Sequence, residues 1–366
     1  MREQRPDVSF VMSVYNGGEF LEETMESIAA QTFSNWECVV IDDCSVDATP
    51  DILARWARRD ERIRVSRNPE NLRLAASLNR GLELARGRYV ARVDADDICT
   101  PDRLEKQVAF MDSHPELSVS SCKYFTLRGN LAAPGVVGRC TDPDSIRALL
   151  LFTNPILHPG VIARAEDIRA FGYDPSCTCT EDLDLWTRMA ASGRKLAMQD
   201  AYLMFYRLHD KQITATTLEK QQREVRIIAH RFYQKCLWEP SDQELDMLLG
   251  SIYFRNQICI EDFISFLKLV RQSNRHRKNF SNQAIDSGVI EILADYKRIG
   301  VGRAAILRGL LCFDPLFLAG EWGRRKARAR EDLKRSRTAA LHLGLIPLEE
   351  KSERGRPVYQ KPQRNM

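Results

Sequence analysis

Several familiar patterns are missing from this sequence of 366 residues. No stretch approaches the roughly 18 consecutive apolar residues that a membrane-spanning helix needs. The opening residues, Met-Arg-Glu-Gln-Arg-Pro-Asp, contain no apolar signal-peptide core, and we therefore expect a cytoplasmic protein. The ten cysteines include no Cys-x-x-Cys pair, which argues against a zinc site or a disulfide framework and fits a reducing compartment.

Glycine-rich phosphate-binding motifs are also missing. Neither the Gly-x-x-x-x-Gly-Lys-Ser/Thr loop nor the Gly-x-Gly-x-x-Gly fingerprint occurs. If the protein binds a phosphorylated ligand, another group must neutralise the phosphates, and a divalent cation held by carboxylates is a recurrent solution.

An excess of charge is confined to one end of the chain. The net charge is only +4, but residues 321–366 contain 13 Lys or Arg against 6 Asp or Glu. Before it lies the apolar stretch Ala304–Ala319, which is broken by Arg308, Asp314 and Pro315 and followed by the basic cluster Arg324–Arg328. Together they fit either an interfacial element on an anionic membrane or a packed helical hairpin with a solvated basic face. No aromatic residues interleave with the basic ones, so we expect no nucleic-acid partner.

Strand and helix patterns alternate through the first hundred residues, which predicts an α/β fold with a mostly parallel central sheet. The predicted strands are Val8–Tyr15, Trp36–Ile41, Ile63–Val65 and Tyr89–Val93. In such sheets ligands bind beyond the carboxyl ends of the strands. Polar clusters stand at three of those ends: Tyr15-Asn16, Asp42-Asp43 and Asp94-Ala95-Asp96.

The cluster Asp94, Asp96 and Asp97 has no basic residue within it. Neighbouring carboxylates repel one another, so such a cluster is tolerated either in a solvated turn or around a hard cation. Taken alone the residues do not decide between these alternatives.

Several blocks in order along residues 8–210 resemble family 2 of the glycosyltransferases. They are Val8–Asn16 with Gln31-Thr32-Phe33, Val40–Thr49, Asn79-Arg80-Gly81 with Ala85-Arg86-Gly87, Val93–Asp97 with Pro101, and Glu181–Trp186. The resemblance implies the GT-A fold, a Rossmann-like sheet flanked by helices that binds a nucleotide sugar. One departure is Cys44, where the family commonly has Gly, and a Cys there weakens any argument that this turn needs a positive φ.

The resemblance also implies a divalent cation, Mg²⁺ or Mn²⁺, at the Asp-x-Asp motif. Asp96 would coordinate the cation that bridges the diphosphate, and Asp94 would be a second ligand nearer the ribose or sugar. Asp97 is expected to be structural. The metal would act as a Lewis acid on the departing diphosphate.

Four further residues are candidates for binding the nucleotide. By resemblance Asp43 would bind the nucleobase, for which a carboxylate suits the imide N–H of uracil or the N–H groups of guanine. The alternative is a helix-capping role for Asp43. Ser13 and Tyr15 could contact base or ribose, although Tyr15 could equally be a packed aromatic. Arg73 matches a basic position that contacts the nucleotide in the family.

The Glu181-Asp182 pair matches the family element whose aspartate is the general base. A direct displacement needs a carboxylate opposite the leaving group to accept the proton of the acceptor hydroxyl. Asp182 lies at a predicted helix start, where the helix dipole should lower its pKa. Trp186 is expected in the core. His158 could be a third metal ligand, a sugar contact or a loop histidine.

A shift in composition places a boundary near residue 215, and the resemblance implies that residues 1–215 are a GT-A domain. We expect a helical extension over 216–348 and a disordered basic tail over 349–366. We expect an inverting glycosyltransferase that uses a nucleotide sugar, with UDP the favoured nucleotide, and a glycan or lipid-linked acceptor in surface polysaccharide synthesis. The alternatives are a non-catalytic sugar-nucleotide-binding protein and an aspartate-dependent phosphatase.

Overall fold

A computed structural model describes residues 5–135, 140–209, 218–249, 260–298, 315–351 and 357–361. Its first half alternates strands and helices as the sequence predicts: β1 (Val8–Val14), α1 (Leu21–Ala29), β2 (Trp36–Asp42), α2 (Thr49–Arg59), β3 (Ile63–Arg67), α3 (Arg73–Leu84) and β4 (Tyr89–Arg92). These four strands are parallel and lie in the order β4-β1-β2-β3.

The two faces of this sheet pack into separate hydrophobic cores, because side chains alternate along a strand. On β1, Phe10 and Met12 face the core formed with α1 and α2, whereas Val11 faces the core formed with α3. Phe10 and Met12 are fully buried. Burying each such side chain stabilises the fold by about 1.5–3 kcal/mol.

The sheet continues in a mixed arrangement. The next elements are β5 (Ile98–Cys99), α4 (Arg103–Ser113), β6 (Leu117–Arg128), β7 (Leu131–Pro134), α5 (Pro143–Leu149), β8 (Ile162–Arg164), α6 (Ala165–Phe171), α7 (Glu181–Ala191) and β9 (Lys195–Arg207). Strand β8 is antiparallel to β4 and β6, while β9 is parallel to β6. The predicted α/β class is confirmed. Parallel pairing holds among the first four strands and between β6 and β9, and the other pairs are antiparallel.

Two local features complete the sheet. Residues 126–128 continue β6, and β7 forms an antiparallel hairpin with that strand. Register shifts interrupt the pairing of β9 with β6 near Cys122 and Lys123, so β9 is an irregular strand.

The C-terminal part contains α8 (Leu218–Cys236), α9 (Asp242–Leu248), α10 (Ile260–Arg277), α11 (Asn282–Arg298), α12 (Pro315–His342), β10 (Ile346–Lys351) and β11 (Pro357–Gln360). Buried residues of α8 to α11 share one hydrophobic core with α5 and α7. The predicted boundary near residue 215 falls within 210–217, outside the described residues. Among the helices described, none is long and apolar enough to cross a membrane.

The last two strands extend the central sheet, whose order becomes β10-β11-β7-β6-β8-β4-β1-β2-β3. Tyr359 and Gln360 pair with Ala132 and Leu131 of β7. The prediction of a disordered tail from Glu349 is therefore wrong for residues 349–351 and 357–360. Main-chain pairing and the burial of Val358 and Tyr359 order a segment whose composition is otherwise polar.

Candidate active site

A cleft of about 960 Å³ lies at the carboxyl ends of β1, β2 and β4. Its lining contains every site residue proposed from the sequence, namely Ser13, Tyr15, Asp43, Arg73, Asp94, Asp96 and Asp182. The edge of the sheet brings the first six together, and helix α7 contributes Asp182 to the same lining.

The turns after β1 and β2 are tied to each other by hydrogen bonds. The Asn16 N–H donates to Ser45 Oγ at 3.0 Å, and the Val46 N–H donates to Asn16 Oδ1 at 2.9 Å. Within the second turn Cys44 has φ 65°. The inference drawn from Cys44 is therefore wrong, since the turn does adopt the left-handed region and the cysteine is held in it by its neighbours.

Asp43 anchors the segment that leads into α3. Its Oδ1 accepts hydrogen bonds from Asn68 Nδ2 at 2.7 Å and the Leu72 N–H at 2.8 Å. Its Oδ2 accepts from the Arg73 N–H at 2.9 Å, and Arg73 itself has φ 68°. A carboxylate offers about four acceptor positions. Three are occupied here, which leaves capacity for one further N–H donor.

Tyr15 stands on the rim of the cleft with 52% of its surface exposed, so it is not a packed aromatic. Ser13 is half-buried in the strand behind it, and the Arg73 side chain is exposed on the same rim. The exposed ring and guanidinium can stack on or pair with a ligand without disturbing the core.

The three carboxylates after β4 have separate surroundings. Asp94 is paired with the guanidinium of Arg92, which is only 3% exposed. Asp96 Oδ2 lies 2.8 Å from Nε2 of His209. Asp97 is fully buried, and its Oδ1 accepts the N–H of Arg207 at 2.9 Å.

Burial is the largest influence on two of these groups. It raises the pKa of Asp94, which the charge of Arg92 opposes and that of Asp96 reinforces. It also raises the pKa of Asp97 well above the ordinary range, reinforced by Asp94 and Asp96. Added positive charge would relieve this mutual repulsion of carboxylates.

The carboxylate cluster fits a hard divalent cation. One oxygen from each of Asp94, Asp96 and Asp97 can be chosen so that all three lie within 4.8 Å of one another. Oxygen ligands are those that Mg²⁺ and Mn²⁺ favour. Oδ2 of Asp97 is also buried and accepts no hydrogen bond within the part of the chain described.

Asp182 is held in place at the start of α7. Its Oδ2 accepts from Asn154 Nδ2 at 2.7 Å, and its Oδ1 accepts from the Leu183 N–H at 2.7 Å. Desolvation raises the pKa of Asp182 despite these hydrogen bonds. The expected lowering by the helix dipole is wrong, because burial in the cleft wall outweighs the dipole at this position.

Glu181 and His158 are buried residues in the lining of the cleft. Burial, reinforced by the charge of Asp182, raises the pKa of Glu181 to about 8. Burial and the nearby Arg92 lower the pKa of His158 well below its usual value. Their 3.7 Å contact is therefore not an ion pair at neutral pH. The other ring nitrogen of His158 is hydrogen-bonded to Tyr173 Oη at 2.8 Å, and Trp186 packs nearby with no exposed surface, as expected of a core residue.

Sequence reasoning missed several residues of the cleft. Arg92, Tyr206 and His209 lie beside the carboxylates, and α8 contributes further residues to the wall, namely Lys220, Gln221 and Val225. Arg92 could have been noticed as a charged residue inside an otherwise apolar strand. His209 carries no local signal, since it lies 113 residues from the aspartate it contacts.

Comparison with known proteins gives consistent matches. The sequence model described as Glycosyl transferase family 2 matches residues 9–135. EpsE of Bacillus subtilis, named as a glycosyltransferase, is 37% identical over 206 residues, which are 54% of this chain and 71% of EpsE. AmsE of Erwinia amylovora, named as an amylovoran biosynthesis glycosyltransferase, is 32% identical over 201 residues, or 54% of this chain and 74% of AmsE.

Among solved structures, residues 1–349 of TarS from S. aureus, crystallised with UDP-GlcNAc, superimpose with a TM-score of 0.55. The match covers 97% of this chain and 99% of the TarS chain at 17% identity. At that identity the likeness concerns the fold, and it extends over the C-terminal part as well as the sheet.

Proposed function

The chain belongs to family 2 of the glycosyltransferases and has the GT-A fold, and from that premise we propose that it is an inverting, metal-dependent enzyme. It transfers a sugar from a nucleotide-sugar donor to a hydroxyl group of a glycan or lipid-linked acceptor. Relatives named for the biosynthesis of amylovoran and succinoglycan support a role in polysaccharide synthesis.

One observation carries this proposal: Asp182 lines the same cleft as Asp94 and Asp96 but enters it from α7 rather than from the sheet. The charge of Asp182 is close enough to raise the pKa of Asp94. A donor diphosphate at the sheet edge and a base supplied by a different element of the same cleft suit a single displacement.

Asp94 and Asp96 would hold the divalent cation, and His209, in contact with Asp96, is a further candidate ligand. When bound, Mg²⁺ or Mn²⁺ supplies Lewis-acid stabilisation of the negative charge on the leaving diphosphate. The buried Arg92 fixes the orientation of Asp94, which leaves Asp94 suited to the ribose or sugar side of the donor.

UDP is our preferred donor nucleotide. The remaining acceptor position of Asp43 suits the imide N–H of uracil, and Tyr15 offers an exposed ring for stacking on the base. Ser13 and Arg73 complete this side of the cleft. The TarS structures with UDP and UDP-GlcNAc show that this fold accommodates that nucleotide in another protein.

Asp182 acts as the general base. Its ionised oxygen accepts the proton of the acceptor hydroxyl, whose oxygen attacks the anomeric carbon opposite the departing diphosphate, so the configuration inverts. Asn154 and the Leu183 N–H orient the carboxylate. A raised pKa makes Asp182 a stronger base than an ordinary aspartate once it is ionised.

We also propose a peripheral contact between helix α12 and an anionic membrane surface. Arg330, Lys334, Arg337 and Leu341 follow one another at spacings of four, three and four, and all are exposed. Ser336 and Ala340, on a neighbouring face, are buried against the sheet extension. A cationic face with an exposed leucine suits anionic headgroups.

The test measures nucleotide release from a panel of UDP-, GDP- and dTDP-sugars in the presence of Mn²⁺. The acceptors are p-nitrophenyl glycosides. We expect acceptor-dependent release of UDP that chelation abolishes, and a product of inverted anomeric configuration by NMR. Asp96→Ala should remove the release. Retained configuration would contradict direct displacement, nucleotide binding without transfer would indicate a non-catalytic protein, and a trapped aspartyl-phosphate would indicate a phosphatase.

A further inference from the structure

Helix α8, the first helix after the catalytic sheet, forms part of the cleft wall. Lys220, Gln221 and Val225 line the cleft, and their spacing places them along one side of the helix. Val225 and Ile228 are buried in the core shared with α7. Farther along, Arg231 pairs with the buried Asp184 of α7 at 2.6 Å, so α8 is fixed against the helix that carries Asp182.

Glu224, on the same part of α8, holds the segment that precedes Asp182. Its Oε1 accepts from both the N–H and the Oγ1 of Thr178 at 3.0 Å. Its Oε2 accepts from the Cys179 N–H at 3.0 Å and from Thr180 Oγ1 at 2.8 Å. All four acceptor positions of the carboxylate are therefore used on three consecutive residues, each of which lines the cleft.

The hydrogen bond from Thr180 to Glu224 takes the place of the usual side-chain cap at the start of α7. Thr180 is the N-cap residue of α7, a position where a threonine oxygen usually accepts a hydrogen bond from the first turn of the helix. Here its side chain makes no such capping bond and its hydroxyl donates to Glu224 instead. The start of α7 is thus fixed from outside the helix, by a residue some forty positions later in the chain.

The charge state of Glu224 suits this role. Burial acts to raise its pKa, but the hydrogen bonds from Thr178, Thr180 and Cys179 outweigh burial, and the net pKa lies below the usual value. The group is therefore ionised at neutral pH, and its four hydrogen bonds are charge-assisted and stronger than neutral ones.

We propose that Glu224 is a positioning residue that holds the segment Thr178–Thr180 so that the acceptor hydroxyl and Asp182 are aligned. Glu224 acts through this segment and does not itself touch the reacting atoms. The inference rests on the proposed transferase function for its catalytic consequence. The hydrogen bonds that join Glu224 to Thr178–Thr180 can be tested without any substrate.

The first test is hydrogen exchange of the Thr178 and Cys179 amides in the full-length chain. In Glu224→Gln the amide oxygen can accept from one pair of donors, while the new NH₂ group faces the other pair and cannot accept. We expect exchange of at least one of those two amides, the one that faces the new NH₂ group, to rise at least tenfold, with the amides of β1 and β2 unchanged. The matched control is Glu219→Gln, an exposed glutamate on the first turn of the same helix.

The second test is turnover per UDP-binding site, measured with p-nitrophenyl glycosides as acceptors. The number of sites is counted by titration with UDP in the presence of Mn²⁺. We expect Glu224→Gln to lower kcat/KM for the acceptor about 100-fold, because small misplacements of reacting groups have effects of that size. The UDP affinity should stay within twofold of the wild type. A purely structural role would instead reduce the number of UDP-binding sites and leave turnover per site unchanged.

The outcomes separate this inference from the proposed function. If the wild type transfers sugar and Glu224→Gln matches it in both exchange and turnover, Glu224 is not a positioning residue. If the wild type transfers nothing, the proposed function fails. Unchanged amide exchange in Glu224→Gln would then be enough to show that Glu224 does not hold the segment Thr178–Thr180. Should Glu224→Gln fold poorly, Thr180→Val, which removes one of the four hydrogen bonds, gives the same comparison.

Discussion

The Oδ2 atom of Asp96 lies 2.8 Å from Nε2 of His209, which joins the loop after β4 to the second residue beyond β9. An imidazole and a carboxylate in contact in the lining of the cleft can both turn to a common cation. The pair therefore links the metal proposal to a residue outside the Asp-x-Asp motif.

We expect His209→Ala to weaken Mn²⁺ binding about 10- to 100-fold in the presence of UDP. Loss of the imidazole removes either a ligand or the group that orients Asp96. Isothermal titration or Mn²⁺ EPR measures the affinity directly. His276→Ala, at an exposed histidine of α10, is the control. Equal Mn²⁺ affinity in the His209 variant and the wild type would exclude His209 from the site.

Asp182→Asn should lower transfer by about 100- to 10,000-fold while UDP binding persists, because the amide cannot accept the proton. Asp184→Asn, two residues along the same helix, is the contrast. Asp184 is 1% exposed and paired with Arg188 and Arg231. We expect that variant to lose about 1–3 kcal/mol of stability. Its turnover per folded molecule should fall far less than that of Asp182→Asn, and a comparable loss of turnover in both variants would deny Asp182 a special role.

The contribution of Glu181 to stability should fall as the pH rises from about 4.5 to about 8, because burial raises its folded-state pKa from 4.5 to about 8. In that window the folded protein retains a proton that the unfolded chain releases, so rising pH favours unfolding. Glu181→Gln should be less sensitive to pH across the window. Thermal unfolding of both proteins at pH 5, 6, 7 and 8 measures the difference, and parallel Tm curves would contradict the assignment.

Cys44→Gly should stabilise the protein by up to about 1 kcal/mol, because the residue has φ 65° and glycine adopts that region without strain. Cys44→Ala keeps the strain and removes only the thiol, so it should show no such gain. Urea unfolding measures all three proteins. A stabilised alanine variant would show that the thiol, rather than the backbone, is responsible.

Replacing Arg330, Lys334 and Arg337 together by Ala should weaken binding to vesicles that contain phosphatidylglycerol. Each basic residue contributes about 1 kcal/mol near an anionic surface. Co-sedimentation at low and high salt measures the effect, with phosphatidylcholine vesicles as the neutral reference. Arg58→Ala with Arg59→Ala, two exposed residues of α2, is the control. Equal binding of triple variant and wild type would exclude this face of α12.

The parts of the site that the sequence predicts are those set by local pattern. Asp43, Asp94 and Asp96 follow strands whose alternation with helices fixes their place at one edge of the sheet. The raised pKa of Asp182 could not be predicted in this way, because the surrounding wall comes from elements distant in sequence. His209 and Glu224 likewise act through contacts that no local pattern encodes.

The fold, too, can be predicted from the sequence only where a local pattern determines it. Strands β1 to β4 have apolar runs bounded by turn residues, so their pattern is sufficient to predict them. Strand β11 is four residues long in a polar, basic segment, and it is ordered by its pairing with β7. Composition describes such a segment as unstructured, since its partner strand lies far away in the chain.

The pairing of Ala132 with Tyr359 also bears on how the protein is made. About 230 residues separate the two strands, so this edge of the sheet closes only after residues 357–360 have left the ribosome. Until then β7 presents unpaired main-chain groups to other nascent chains. A message truncated before residue 357 should therefore yield aggregated protein, even though every proposed catalytic carboxylate has already been synthesised.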